Sequence, residues 1–166
     1  MRTFSLILLL ELVIAGPVFG EQQKGLVTAS CTFSDSKQIL VRYHNPTAGN
    51  KKRQPPFGKV WAPGGSAMTL FTQSALAVDN SLIPIGAYSL YVIPEAKNWT
   101  LVVNKNVTTD QNYDQRQDLL RVPMPTGTLG HSVEKLKVYF GHIAPKQCNM
   151  RIYFGKIGAW TEFKER

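Results

Sequence analysis

Strict two-residue alternation near the C-terminus constrains this chain more than any other feature. Leu136, Val138, Phe140 and His142 alternate with Lys135, Lys137, Tyr139 and Gly141. Successive side chains of a strand point to opposite faces. The run therefore predicts a half-buried strand with a lysine-bearing face in water and His142 on the inward face. Met150, Ile152 and Phe154 alternate with Arg151 and Tyr153 in the same manner. Between them, Ala144-Pro145-Lys146-Gln147 is turn-like, so the two strands are expected to pair as a hairpin.

The same logic predicts strands over Gln38–Tyr43, Met68–Phe71, Ser74–Val78, Ala87–Val92 and Trp99–Val103. Turn signals separate them, including Ser34-Asp35-Ser36-Lys37 and Pro84-Ile85-Gly86, the latter suiting a type II turn with positive φ at Gly86. Trp61 and Trp99 supply large apolar area for a core. Only Asp110–Leu120 could hold a short helix, and its apolar spacing is poor. Without helices to cover a parallel sheet, the expected architecture is all-β and antiparallel, a β-sandwich or jelly-roll-like barrel.

The N-terminus predicts export. Arg2 precedes an apolar run from Phe4 to Ile14, and Val18-Phe19-Gly20 precedes Glu21. This is the layout of a signal peptide over 1–20, leaving a single domain over 21–166 in the periplasm or outside the cell. A retained anchor is the rival reading, although the apolar stretch is short of the roughly 20 residues that span a bilayer. The formal net charge of +8 favours anionic partners or simple solubility. In an oxidising compartment Cys31 and Cys148 are expected to pair, which requires the first and a late strand to be neighbours. Zinc binding by two isolated cysteines is the weaker alternative.

Several ordered segments carry a family resemblance. They are Phe57-Gly58-Lys59-Val60-Trp61, Pro84 to Pro94, Trp99 to Lys105, Tyr113-Asp114, Asp118-Leu119 and Arg121-Val122-Pro123-Met124. Over about 30–154 the chain resembles the exported bacterial proteins grouped as domain of unknown function 2911. That resemblance implies a bacterial envelope protein and no particular activity. One departure stands out. Where relatives show a stretch resembling Arg-Thr-Gly-Ala-Asn-Glu after the tryptophan, this chain has Ala62-Pro63-Gly64-Gly65-Ser66-Ala67. A polar site there in relatives would be reduced here.

The chain has no nucleophile elbow, phosphate-binding glycine loop, dinucleotide fingerprint or paired-His metalloprotease motif. No cofactor is expected. The preferred reading is a non-catalytic binding or structural module of the bacterial envelope. Its contact surface would be the Asn45–Gly58 loop with Lys51, Lys52, Arg53 and Lys59 near Trp61, a basic and aromatic set suited to an anionic glycan or envelope polymer. An envelope protein is another candidate partner. The alternative is a divergent metal-dependent or acid–base enzyme with a pocket at one end of the sandwich, lined by His44, His142 and the Trp61 loop. Asp110, Asp114 and Asp118 recur every four residues and could hold a cation on a helix, or Asp118 could orient Arg121. Asn98-Trp99-Thr100 and Asn106-Val107-Thr108 match the glycosylation acceptor pattern, which is normally inert in bacteria.

Overall fold

Alternation becomes strand wherever one face is buried. In β2 (Gln38–His44), Ile39, Val41 and Tyr43 are buried, while Gln38 and Arg42 are exposed. The computed structural model describes residues 25–45, 54–108 and 112–166. The other strands are β1 (Leu26–Thr32), β3 (Met68–Thr72), β4 (Leu76–Val78), β5 (Ser81–Ile83), β6 (Gly86–Pro94), β7 (Asn98–Asn104), β8 (Asp118–Ala144) and β9 (Gln147–Glu165). All pair antiparallel in one open sheet, ordered β1-β2-β3-β6-β7-β8-β9-β4-β5. The predicted hairpin is the β8–β9 pair, closed at Ala144 and Gln147.

The sheet is strongly curled. β1 and β9 are six places apart in the order, which on a flat sheet is roughly 29 Å at about 4.8 Å per strand. Yet Cys31 of β1 and Cys148 of β9 form a disulfide with their Cα atoms 6.4 Å apart. The Ser34 N–H donates to the Pro145 carbonyl at 2.9 Å on the same seam. The Val138 N–H donates to the buried Tyr43 hydroxyl at 3.2 Å, tying β8 to β2. Curling turns the alternate apolar residues of nearly every strand into one core, with Trp99, Met68, Leu90, Leu101, Met150 and Phe163 among its innermost members.

β8 makes the curl possible because it serves two neighbours in succession. It pairs with β7 from Asp118 to Pro125, and with β9 from Thr126 onward. Register shifts fall at Thr128/Val133, Val133/Lys137 and His142/Ala144. Gly155, paired with Val133, has φ +58°, a left-handed conformation that costs glycine little. Such irregularities bend a strand and increase its twist.

Several local expectations need correction. The possible helix before β8 is one 3-10 turn, Gln115–Gln117, capped by Asp114, whose side chain accepts from the Arg116 N–H. Asp114 and Asp118 therefore share no helical face, and Asp110 lies outside the described residues. Gly86 takes φ +155°, wider than the roughly +80° of a type II turn. It opens β6 instead, with the Tyr88 hydroxyl donating to the Pro84 carbonyl at 3.0 Å. His142 is exposed, not inward, beside the shift that ends the regular register.

Candidate functional site

Among the candidate contact residues, Lys51, Lys52 and Arg53 lie outside the described residues. Lys59 is exposed, in a turn where its N–H donates to the Pro56 carbonyl. Trp61 is half-buried. Its ring meets Trp99 edge-on at 6.0 Å and Phe154 of β9 at 4.8 Å, so it packs the 54–61 loop against the sheet. The segment after it also serves packing. Val60, Ala62 and Ala67 cover Tyr91 and Val102 on the outer face of β6 and β7. A Cβ on Gly64 would overlap the His44 carbonyl. Gly64 thus sits where no side chain fits, whereas Gly65 has open space around it and a left-handed backbone at φ +88°.

His44 and His142 are not brought together. His142 pairs with Cys148, which is bonded to Cys31 opposite Ile39 at the start of β2; His44 ends β2. Five residues of strand, roughly 16 Å, separate Ile39 from His44. No group of three His, Cys, Asp or Glu side chains able to hold a metal occurs among the described residues.

Four residues within the family-like segments do converge. Asp118 accepts from the Asn104 Nδ2 at 2.8 Å, the Tyr113 hydroxyl at 2.8 Å and the Arg121 Nε at 2.8 Å. Asn104 is fully buried, and its Nδ2 also donates to the Asp114 carbonyl. The hydrogen bond to Asp118 holds the Arg121 guanidinium above its ordinary value. Burial first, and the bond to Asp118 second, push the Tyr113 phenol up. Each group is occupied by another, so the cluster is chemically suited to pinning the β7–β8 connection. The alternative that Asp118 orients Arg121 is what the geometry contains.

A different surface is open to a ligand. Directly opposed residues of an antiparallel pair share a face. The pairs Lys137–Tyr153, Tyr139–Arg151 and Gly141–Asn149 therefore lie together on the outer face of β8 and β9. The two halves of β9 approach each other, because the Glu165 N–H donates to the Lys146 carbonyl and the Gln147 Nε2 donates to Glu162 at 2.6 Å. Between them runs an open groove of about 460 Å³, lined by Asn149, Arg151, Tyr153, Trp160 and Glu162, with Gly127 and Gly158 among its backbone walls. That volume is within the roughly 300–1,000 Å³ of ligand pockets.

Glycines shape this face. A Cβ on Gly158 would sit 3.2 Å from the Tyr153 ring, one on Gly127 3.5 Å from the Trp160 ring, and one on Gly141 3.7 Å from the Tyr139 ring. Each aromatic side chain rests over a bare glycine backbone, an arrangement that also shields the glycine. Trp160 remains 37% exposed and Tyr139 50% exposed. Arg151 donates from Nε to the Asn149 Oδ1 at 2.7 Å, which fixes the root of its guanidinium. By contrast, on the outer face of β2 and β3 the Arg42 guanidinium lies 5.3 Å from the Phe71 ring centre and occupies one face of that ring itself. The β8–β9 face was signalled by the water-facing Lys137, Tyr139, Arg151 and Tyr153; Trp160 and Glu162 carried no comparable signal.

Among the described residues no helix is long and apolar enough to cross a membrane. No curated protein and no solved structure matches this chain. One family does, described as protein of unknown function (DUF2911), over residues 26–162. The match runs from Leu26, the first residue of β1, to Glu162, three residues before the end of β9. That span contains all the segments that carried the resemblance, and this chain belongs to DUF2911.

Proposed function

We propose that this chain is an exported, non-catalytic binding module of the bacterial envelope that engages its ligand through the outer face of β8 and β9. The observation that carries the reading is the set of aromatic rings laid over glycine beside Lys137 and Arg151. The Cys31–Cys148 disulfide and the signal-like N-terminus support an oxidising compartment. Lys59 and the Lys51-Lys52-Arg53 run extend the positive field of the same molecule, drawing an anionic polymer in before contact.

The test is thermal unfolding of the oxidised protein against polysaccharides, other polyanions, nucleotides and divalent metals. A ligand specific for the native state at about a hundredfold its Kd adds about 2.7 kcal/mol. A polymer-dependent rise in Tm that disappears in Trp160→Ala is the expected result. A rise that Trp160→Ala leaves intact places binding elsewhere, and a rise with a metal alone favours the enzyme alternative.

A further inference from the structure

We infer that the ligand of this face is an acidic polysaccharide, its sugar rings stacked on Trp160 and Tyr153 and its carboxylates held by Arg151 and Lys137. The inference rests on the binding face proposed above and adds the chemistry of the occupant.

Three features select that chemistry. The first is ring geometry. An aromatic face carries negative quadrupolar charge and attracts the weakly positive C–H groups of a sugar ring. Rings resting on Gly127 and Gly158 line the groove as low walls, so a flat, hydroxylated ring can lie against them. The second is the mixture of polar groups. Arg151 only donates hydrogen bonds and Glu162 only accepts them. A chain bearing both carboxylates and hydroxyls satisfies both, the carboxylate on the guanidinium fork and the hydroxyl on Glu162. The sugar hydroxyls of an acidic polysaccharide can donate to Glu162 beside its carboxylates, whereas the deoxyribose-phosphate backbone of DNA offers that carboxylate no hydroxyl donor. The third is charge. Lys137, Arg151 and Lys164 are exposed cations of β8 and β9, on a chain of formal net charge +8.

The experiment is affinity electrophoresis of the oxidised protein through gels containing polygalacturonate, alginate, hyaluronate or heparin. Methyl-esterified polygalacturonate serves as the uncharged control and oligo-dT as the nucleic-acid competitor. Retention by at least one acidic polysaccharide is expected, with affinity falling tenfold or more in Trp160→Ala, in Arg151→Ala and in 0.5 M salt (an assay condition of roughly the screening limit, about 4–5 Å). Circular dichroism and Tm of both variants check that the fold is intact. Equal affinity for the esterified polymer would overturn the acidic ligand while leaving the binding face in place. Retention by none of the four, or displacement by oligo-dT at lower concentration than by any glycan, would also overturn it. Wild-type affinity in both variants would overturn the inference and the binding face together.

Discussion

Removing the Cys31–Cys148 bridge should cost this protein about 5 kcal/mol, and nearly all of that cost should arise in the unfolded chain. The two cysteines are 117 residues apart. The loop-entropy relation for that separation gives about 4.9 kcal/mol at 25 °C. On the native side the seam retains the Ser34–Pro145 and Val138–Tyr43 hydrogen bonds. The curled sheet should therefore persist in Cys31→Ala/Cys148→Ala. For a chain of this size, about 5 kcal/mol corresponds to a fall in Tm of roughly 10–20 °C. Urea unfolding followed by fluorescence measures the difference directly, and the variant's m-value should rise because its unfolded state is more expanded. A loss below about 1 kcal/mol with an unchanged m-value would refute the entropic argument. It would mean that the unfolded chain is already compact around the two ends.

Other predictions bear on the seam, the polar cluster and the aromatic hydroxyls. Tyr43→Phe leaves the buried Val138 N–H without its acceptor; it should cost about 1–3 kcal/mol, and hydrogen exchange at Val138 should accelerate. Asp118→Asn weakens the charge-assisted bonds from Tyr113 and Arg121 and should cost about 1.5–3 kcal/mol in urea unfolding; a loss under about 0.5 kcal/mol would show that solvent already screens the group. Burial raises the phenols of Tyr88 and Tyr113 above 10.0. Their neutral forms stabilise the folded state below the unfolded value, and that contribution is lost as pH rises through the folded one. Tm should therefore fall on the alkaline side of pH 10, and less steeply in Tyr113→Phe.

The strands legible in the sequence are of two kinds. β2, β3 and the β8–β9 hairpin fall near the expected ranges because their burial alternates, whereas β4, β6 and β7 are buried in unbroken runs, such as Tyr88–Val92 and Leu101–Asn104, and read as largely apolar stretches set off by turn residues. β1 went unread because its inward residues include Val27 and Ala29, too small and too evenly mixed with polar neighbours to stand out. β5 spans only Ser81–Ile83. The first arm of β8 shows true alternation, with Leu120, Val122 and Met124 buried, but Pro123 and Pro125 occupy the intervening positions and read as breakers. There β8 pairs with β7 and not yet with β9. One side of the strand has no partner, and proline nitrogens can face it without breaking a ladder. The curl was foreshadowed only by the cysteines, since a bridge from first to late strand demands that the two be close.

The candidate binding face was harder to read for a physical reason. Alternation tells which residues point outward, but not which outward residues meet, and the platform depends on those meetings. Tyr153 rests over Gly158 because the chain bends between them near Gly155, whose left-handed backbone no pattern in the sequence marks. Glycines within strands ordinarily weigh against strand formation, yet here their missing side chains leave room for the rings. Gly158→Ala separates the two roles. Gly158 is not among the glycines with positive φ, so alanine suits its backbone. The new Cβ would lie 3.2 Å from the Tyr153 ring, which must yield by a few tenths of an ångström. If the glycine exists for folding, alanine should leave ligand affinity unchanged and shift Tm alone. If it exists to seat the ring, affinity for an acidic polysaccharide should fall several-fold while Tm moves little, and that second result is the one the geometry predicts.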